Sequence, residues 1–256
     1  MKENLGFIKM PNIFVWDYTK ENKSLIKTNE LIPYVYTYLN CREDRLKQII
    51  FNLDMLITSC GKTIQRGKGK SLDNFKNTLK YFQEKEYVYF INPLEDIKPN
   101  TIIYAQELKQ YNNLKRSYFK IDRDKIIVLL NLKTELDKIK LLNLYYYINA
   151  RLNRRENNND LQPDIIRDGG RYEGFSDTLE TISKDLNISK PTLVDYLKTL
   201  QENKLIYFGN IGKITKDGKV KTANNIYCIN QSEFKEGLKQ QKLYYRNIGW
   251  NLLWMA

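Results

Sequence analysis

The sequence has no histidine and only three cysteines in 256 residues. Without histidine the chain cannot build a Ser-His-Asp triad, an imidazole zinc site, or the paired-histidine metal site that rolling-circle replication nucleases need. The cysteines, Cys41, Cys60 and Cys228, form no C-x-x-C pair. Such an odd, scattered set is typical of a reducing cytoplasm, where disulfides are rare.

Long apolar runs are also missing. No apolar stretch approaches the roughly 18 residues that a membrane-spanning helix requires. The N-terminal stretch MKENLGFIKMPNIFVW carries Lys9 and Pro11 within its apolar part, which is atypical of a signal peptide. We therefore expect a cytoplasmic protein without a membrane partner.

The chain also lacks an intact nucleotide-binding loop. Gly61-Lys62-Thr63 and Gly69-Lys70-Ser71 each match the end of the G-x-x-x-x-G-K-[ST] motif, but the positions of the opening glycine hold Leu56 and Ile64. No paired-carboxylate motif stands clear of the predicted exposed helix faces. We therefore predict no catalytic residue, no metal site, no cofactor and no enzymatic activity.

Positive charge is what the sequence has in excess. Its 42 Lys and Arg against 30 Asp and Glu give a net charge of +12 and a pI of about 9.3. A basic excess of this size favours a polyanionic partner, either nucleic acid or an anionic membrane. The chain is also rich in Lys, Asn, Ile and Tyr, which AT-rich codons encode, so base composition is an alternative origin of the charge.

Two stretches of the sequence resemble each other. Shifting residues 71–90 by 118 positions places them on residues 189–208 without a gap, with seven identities in 20 positions. The aligned pairs include Leu79 with Leu197, and four further apolar pairs align, among them Phe75 with Leu193. We therefore predict two related modules and not a short-period solenoid.

The apolar periodicity predicts an α+β fold that is mostly α. Helices are predicted at residues 31–40, 72–84 and 138–155, and strands at 87–90, 101–105 and 118–122. The helix at 138–155 has a predicted apolar stripe of Leu141, Leu144, Tyr145 and Ile148. A short apolar element is predicted at 124–132 and a polar loop at 156–170.

These elements predict four segments. They are an N-terminal module at 1–105, a connecting segment at 106–137, a C-terminal module at 138–230, and a C-terminal helical tail at 231–256. The tail contains Trp250, Leu252, Leu253 and Trp254, which are too apolar to remain in water as one patch. We expect them to pack onto the protein or to pair with a second copy in a homodimer.

The second copy has the pattern of two short helices followed by a hairpin. In SDTLETISKDLNISKPTLVDYLKTLQENKLIYF, Ser176 is predicted to cap the first helix and Ser189 the second, with a turn at Asn187 and Ile188. In KITKDGKVK, the pair Asp217-Gly218 is typical of a two-residue hairpin turn. Over residues 138–229 this pattern resembles the winged-helix form of the helix-turn-helix. The resemblance implies DNA binding, although some winged helices bind proteins instead.

The second copy also supplies candidate DNA contacts. A capped helix N-terminus offers N–H groups to a phosphate, and Lys190 at that end can reach a guanine edge or a phosphate. Asp195 can accept from a cytosine amino group or repel phosphate in a wrong register. Any one lysine is compatible with an ordinary solvated charge, but four around one hairpin favour backbone contact. The candidates are Ser189, Lys190, Thr192, Asp195, Thr199, Lys213, Lys216, Lys219 and Lys221.

The first copy departs from this pattern because the longer basic loop GKTIQRGKGKS replaces the simple turn. Three interpretations are open: the module binds the DNA backbone without specificity, recognises a different sequence, or forms a dimer surface. Its candidate contacts are Lys62, Arg66, Lys68, Lys70, Asn74, Asn77 and Lys80.

Two winged helices without an evident sensor domain resemble the replication initiators of plasmids and phages of low-GC Gram-positive bacteria. The resemblance covers about 150 residues and implies a protein that binds repeated origin sites in double-stranded DNA, helps open AT-rich DNA and recruits host replication proteins. A transcriptional regulator of a mobile genetic element would use the same modules on an operator. A third interpretation is a scaffold whose winged helices bind protein.

Overall fold

The computed structural model describes residues 6–16, 25–44, 46–95, 97–106, 118–152 and 172–253. The predicted polar loop at 156–170 and Trp254 lie outside these ranges. The fold is α+β, as predicted, with about 48% helix and small antiparallel sheets. The chain divides into two compact units, Met1–Ala150 and Arg151–Ala256.

Among its described residues, the first unit has five strands, six α-helices and one 3-10 turn. Its helices are α1 (Asn12–Val15), a 3-10 turn (Leu25–Lys27), α2 (Ile32–Arg42), α3 (Leu53–Thr58), α4 (Ser71–Glu84), α5 (Arg123–Asn131) and α6 (Lys138–Arg151, whose last residue belongs to the second unit). Its strands are β1 (Phe7–Pro11), β2 (Gln48–Phe51), β3 (Tyr89–Phe90), β4 (Ile103–Gln106) and β5 (Tyr118–Asp122). β1 pairs with β5, and a second antiparallel sheet has the order β2-β4-β3.

The core of the first unit surrounds α6 and α2. The sequence predicted burial of one apolar stripe on α6. This prediction is too narrow, since every residue from Leu141 to Ala150 is buried. One polar side chain on this helix is bonded to a distant part of the chain, since Asn143 Nδ2 donates to the carbonyl of Glu30 at 3.0 Å. On α2, Tyr34 donates to the carbonyl of Leu56 at 2.7 Å, and burial raises its pKa far above the ordinary value. α6 is therefore a central helix rather than an amphipathic surface helix.

The predicted helix at 72–84 is confirmed as α4, which begins one residue earlier. Phe75, Leu79 and Phe82 are all buried, as their spacing predicts. The element predicted at 124–132 is α5, and the strand predicted at 118–122 is β5.

The described residues of the second unit form three helices and two antiparallel sheets, and one of these sheets contains the predicted hairpin. Its helices are α7 (Leu179–Leu186), α8 (Lys190–Glu202) and α9 (Gln231–Asn247). Its strands are β6 (Phe175–Asp177), β7 (Tyr207–Gly209), β8 (Lys213–Lys216), β9 (Lys219–Thr222), β10 (Asn225–Cys228) and β11 (Asn251–Leu252). The two sheets have the orders β6-β10-β7 and β11-β8-β9.

The caps of α7 and α8 correct one prediction and confirm another. Ser176 is not the cap of α7, because it lies in β6, where strand pairing positions it opposite Ile226. Thr178 is the cap, and its Oγ1 accepts from the Thr181 amide at 3.1 Å. Ser189 caps α8 as predicted, accepting from the Thr192 amide at 3.3 Å.

The predicted helix of the C-terminal tail is confirmed as α9, and the described residues that follow it form a strand. After α9, β11 pairs with β8, with Leu252 opposite Ile214. Trp250 and Leu252 pack against a buried cluster that includes Ile214 and Tyr245. The expectation that the apolar tail packs onto the protein is thus confirmed for these two residues.

Candidate nucleic-acid interface

A three-residue turn holds α7 and α8 together in the second unit. Asn187 ends α7 with a left-handed backbone (φ 51°), a conformation that asparagine tolerates better than most residues. Ile188 is buried, and its carbonyl accepts from Ser183 Oγ at 2.6 Å. The amide of Ile188 also donates to the Ser183 carbonyl at 3.0 Å. These bonds fix the direction in which α8 leaves the turn.

The buried face of α8 determines which side chains it presents. Leu193, Leu197 and Leu200 are fully buried, as predicted, and Tyr196 is buried beside them. Asp195 and Lys198 lie on the opposite, exposed face, whereas Thr192 and Thr199 are half-buried on its flank. Sequence reasoning did not select Lys198, although its position three residues after Asp195 already indicated the outward face.

The N-terminus of α8 is a set of polar groups with local partners. Ser189 Oγ lies 2.7 Å from Thr192 Oγ1 in a bond between the two hydroxyls. Lys190 is exposed and forms an ion pair of 3.1 Å with Glu180 on α7. Thr199 Oγ1 donates to the carbonyl of Asp195 at 2.9 Å. The lysine is the group best able to turn to a ligand, since an exposed ion pair is worth little.

The hairpin of β8 and β9 has the predicted tip. Asp217 (φ 50°) and Gly218 (φ 74°) both have left-handed backbones, as a tight two-residue turn requires. Lys213, Lys219 and Lys221 are exposed.

Two hairpin lysines also contact the tail. Lys216 Nζ donates to the carbonyl of Ile248 at 2.7 Å, and Lys221 Nζ lies 4.3 Å from the centre of the Trp250 ring. Because β11 pairs with β8, the hairpin is part of a three-stranded sheet, and these lysines lie on that sheet.

In the first unit the basic loop is ordered by the residue that begins α4. Ser71 Oγ donates to the carbonyl of Thr63 at 2.6 Å and accepts from the amide of Gln65 at 2.8 Å. The amide of Gly69 donates to Asp73 Oδ2 at 2.8 Å. The loop thereby presents three exposed cations together, Arg66, Lys68 and Lys70.

The other candidates of the first copy lie along α4 and at the start of the loop. Asn74 and Asn77 are exposed, and Asn74 Nδ2 donates to the carbonyl of Gly69 at 3.1 Å. Lys80 is half-buried. Lys62 forms an ion pair of 2.6 Å with Asp137. Burial opposes ionisation of Asp137, but the Lys62 ammonium and the amides of Ile139 and Lys140, which donate to this carboxylate, together hold its pKa below the usual value.

Substitution should separate Lys62 from the exposed loop cations. We expect Lys62→Ala to lower the free energy of unfolding by about 0.5–1 kcal/mol, since the pair is partly exposed, and Lys70→Ala to leave it unchanged. Because the folded-state pKa of Asp137 is depressed, the difference between wild type and Lys62→Ala should vanish as pH falls through that pKa. Denaturant titrations at several pH values measure this. An equal stability of wild type and Lys62→Ala at neutral pH would contradict it.

The first unit also has an exposed apolar sheet face. Ile50 on β2 lies opposite Tyr104 on β4, and both are exposed. Tyr89 on β3 is exposed as well. If the first copy forms a dimer surface, as one of the three interpretations holds, this face is one apolar area that could contribute to it.

No protein-family model, curated protein or solved structure matches the chain. Within the described residues, no three or more Cys, Asp or Glu side chains are grouped so that they could hold a metal ion. In the same part of the chain, no helix combines the length and apolarity needed to cross a membrane.

Proposed function

We propose that the protein binds double-stranded DNA sequence-specifically through two winged-helix modules. The observation that carries this proposal is the arrangement in the second unit. There, a capped helix, α8, exposes Lys190, Asp195 and Lys198, and a braced hairpin with exposed lysines follows it in the same unit. A helix for the major groove and a hairpin for the backbone are the two parts that a winged helix uses.

The topology of the second unit supports this assignment. In a winged helix, the strand that precedes the two helices pairs with the strand that follows the hairpin. Here β6 precedes α7 and α8 and pairs with β10, which follows the β8–β9 hairpin. β10 also pairs with β7, which gives the order β6-β10-β7.

The first unit supports a second, related module. In its sheet β2-β4-β3, the strand β2 precedes α3 and α4. It pairs with β4, the last of the three strands in the chain, just as β6 pairs with β10 in the second unit.

The ends of α4 and α8 also match under the shift of 118 positions. Glu86 (φ 55°) and Lys204 (φ 56°) both have left-handed backbones two residues after the helix. The next amide in each copy, that of Tyr87 or Leu205, donates to the carbonyl five residues earlier at 2.9 Å. Such endings are common in helices, so their equivalent positions are consistent with a duplicated module and do not demonstrate one.

The chemistry of this surface suits duplex DNA. Side chains at the N-terminus and on the outward face of α8 would meet base edges, where lysine pairs with guanine acceptors and aspartate with the cytosine amino group. The lysines of the hairpin and the cations of the loop at 61–70 would neutralise phosphates, which gives affinity without sequence information. The net charge of +12 is consistent with such a partner.

We infer further that the bound DNA is a replication origin, so that the protein acts as an initiator. The support is the pairing of two modules in one chain, since two modules can bind successive repeats of one origin. Footprinting on the DNA that flanks the gene tests this role. Several protected direct repeats beside an AT-rich tract would support it, whereas one protected palindrome over a promoter would indicate a transcriptional regulator.

If the protein is instead a scaffold that binds other proteins, it should not bind random duplex DNA even at low salt. That result would overturn the proposal as a whole. The two DNA-binding roles both require that low-salt binding.

A further inference from the structure

The C-terminal helix α9 carries a basic stripe that the candidate interface does not include. Its members are Lys235, Lys239, Lys242 and Arg246, and all four are exposed. Because of their spacing of i, i+4, i+7 and i+11, the four side chains lie within an arc of about 60° around the helix axis. The helix buries a different side, with Gly237, Gln241 and Tyr245. This periodicity is visible in the sequence.

Among the residues that the structure describes, one ion pair compensates the charge of the stripe. Lys239 has an ion pair of 3.4 Å with Glu236 on the same helix. Glu233, the other acidic residue of α9, accepts from the Glu173 amide at 2.8 Å and is half-buried. Both carboxylates therefore lie off the stripe. Four like charges in a row destabilise a helix slightly unless an anion lies against them.

The stripe ends beside the hairpin of the proposed interface. Arg246 lies two residues before Ile248, whose carbonyl accepts from Lys216 Nζ at 2.7 Å. Lys216 in turn precedes the tip of the hairpin at Asp217 and Gly218. The C-terminal end of α9 and the hairpin therefore lie close together in the second unit.

The length of the stripe matches a segment of DNA backbone. At about 1.5 Å per residue, the eleven steps from Lys235 to Arg246 cover about 16 Å, which is the rise of about five phosphates of one strand measured along the duplex axis. Lysine and arginine on a helix bind phosphates as charges and donors without recognising bases.

We propose that this stripe is a second phosphate-binding surface, which holds the sugar-phosphate backbone of the duplex beyond the contact made by the hairpin. The proposal rests on the proposed function, because it assumes that the second unit docks on a duplex. It adds a contact made by α9, a helix that lies outside the winged-helix pattern.

Salt titration of the double variant Lys242→Gln/Arg246→Gln tests this surface on random duplex DNA. Loss of two phosphate contacts should reduce the slope of log affinity against log salt by about two units. The 50-to-200 mM affinity ratio should then shrink by about 12-fold, since each contact accounts for about 3.5-fold over this range. Lys235→Gln/Lys239→Gln should act in the same direction but more weakly, because it lies farther from the hairpin and Lys239 is paired.

The matched control is Lys85→Gln/Lys133→Gln, which removes two exposed lysines of the first unit that belong to none of these surfaces. This control should keep the wild-type slope. A wild-type slope in Lys242→Gln/Arg246→Gln, or an equal change in the control, would overturn the inference while leaving the proposed function intact. Binding of phosphatidylserine vesicles that the stripe variant loses, with DNA affinity unchanged, would also overturn it. Failure of the wild type to bind duplex would refute the proposed function itself.

Discussion

The affinity of the protein for a random-sequence duplex is expected to fall by about 10³–10⁵-fold when salt rises from 50 to 200 mM. Eight exposed cations line the two candidate surfaces outside α9. They are Arg66, Lys68, Lys70, Lys190, Lys198, Lys213, Lys219 and Lys221. A protein that neutralises this many phosphates releases the counterions of the DNA, and raising the salt concentration opposes that release.

The measurement is a binding titration by fluorescence anisotropy at four or more salt concentrations. The loop and the hairpin bind different phosphates. Lys70→Ala and Lys219→Ala should therefore each lower the slope of log affinity against log salt concentration by about one unit. A fall in affinity of less than tenfold over the same salt range would contradict DNA binding by these surfaces. Base composition would then be the explanation of the positive charge.

Substitution of Leu197 by alanine should lower the free energy of unfolding by about 2–5 kcal/mol. Leu197 is fully buried on the inner face of α8, so the change removes apolar contacts and leaves a cavity that the surrounding helices fill only in part. Because α8 also carries the candidate base contacts, binding to specific and random DNA should decline together as the second unit unfolds.

The neighbouring residue provides the control for this effect. Lys198 is exposed on the same helix, and Lys198→Ala should change stability by no more than about 0.5 kcal/mol. Urea denaturation of both variants makes the comparison. If Leu197→Ala were as stable as Lys198→Ala, the placement of α8 against its core would be wrong.

Local signals in the sequence predicted the elements around the second helix well. The cap at Ser189, the turn at Asn187 and the hairpin tip at Asp217-Gly218 each depend on backbone preferences of one or two residues, and all three are confirmed. The buried face of α8 followed from the spacing of its leucines in the same way.

Features that depend on distant partners were not predictable. α6 is buried on all sides because elements far away in sequence enclose it, as the bond from Asn143 to Glu30 illustrates. The strand β11 forms because β8 offers an unpaired edge. The ion pair of Lys62 with Asp137 joins residues 75 positions apart. Ser176 failed as a cap because strand pairing in β6 outweighed its local preference.

The central claim is that α8 recognises sequence while the hairpin and the loop hold the backbone. The ratio of specific to random-duplex affinity, measured on a footprinted site, tests it most directly. We expect Lys190→Ala and Lys198→Ala to reduce this ratio by about 5–150-fold, which corresponds to about 1–3 kcal/mol, and Lys219→Ala to weaken both substrates equally. If Lys190→Ala and Lys198→Ala leave the ratio unchanged while Asn74→Ala or Asn77→Ala abolishes it, the first unit recognises the sequence and the claim is wrong.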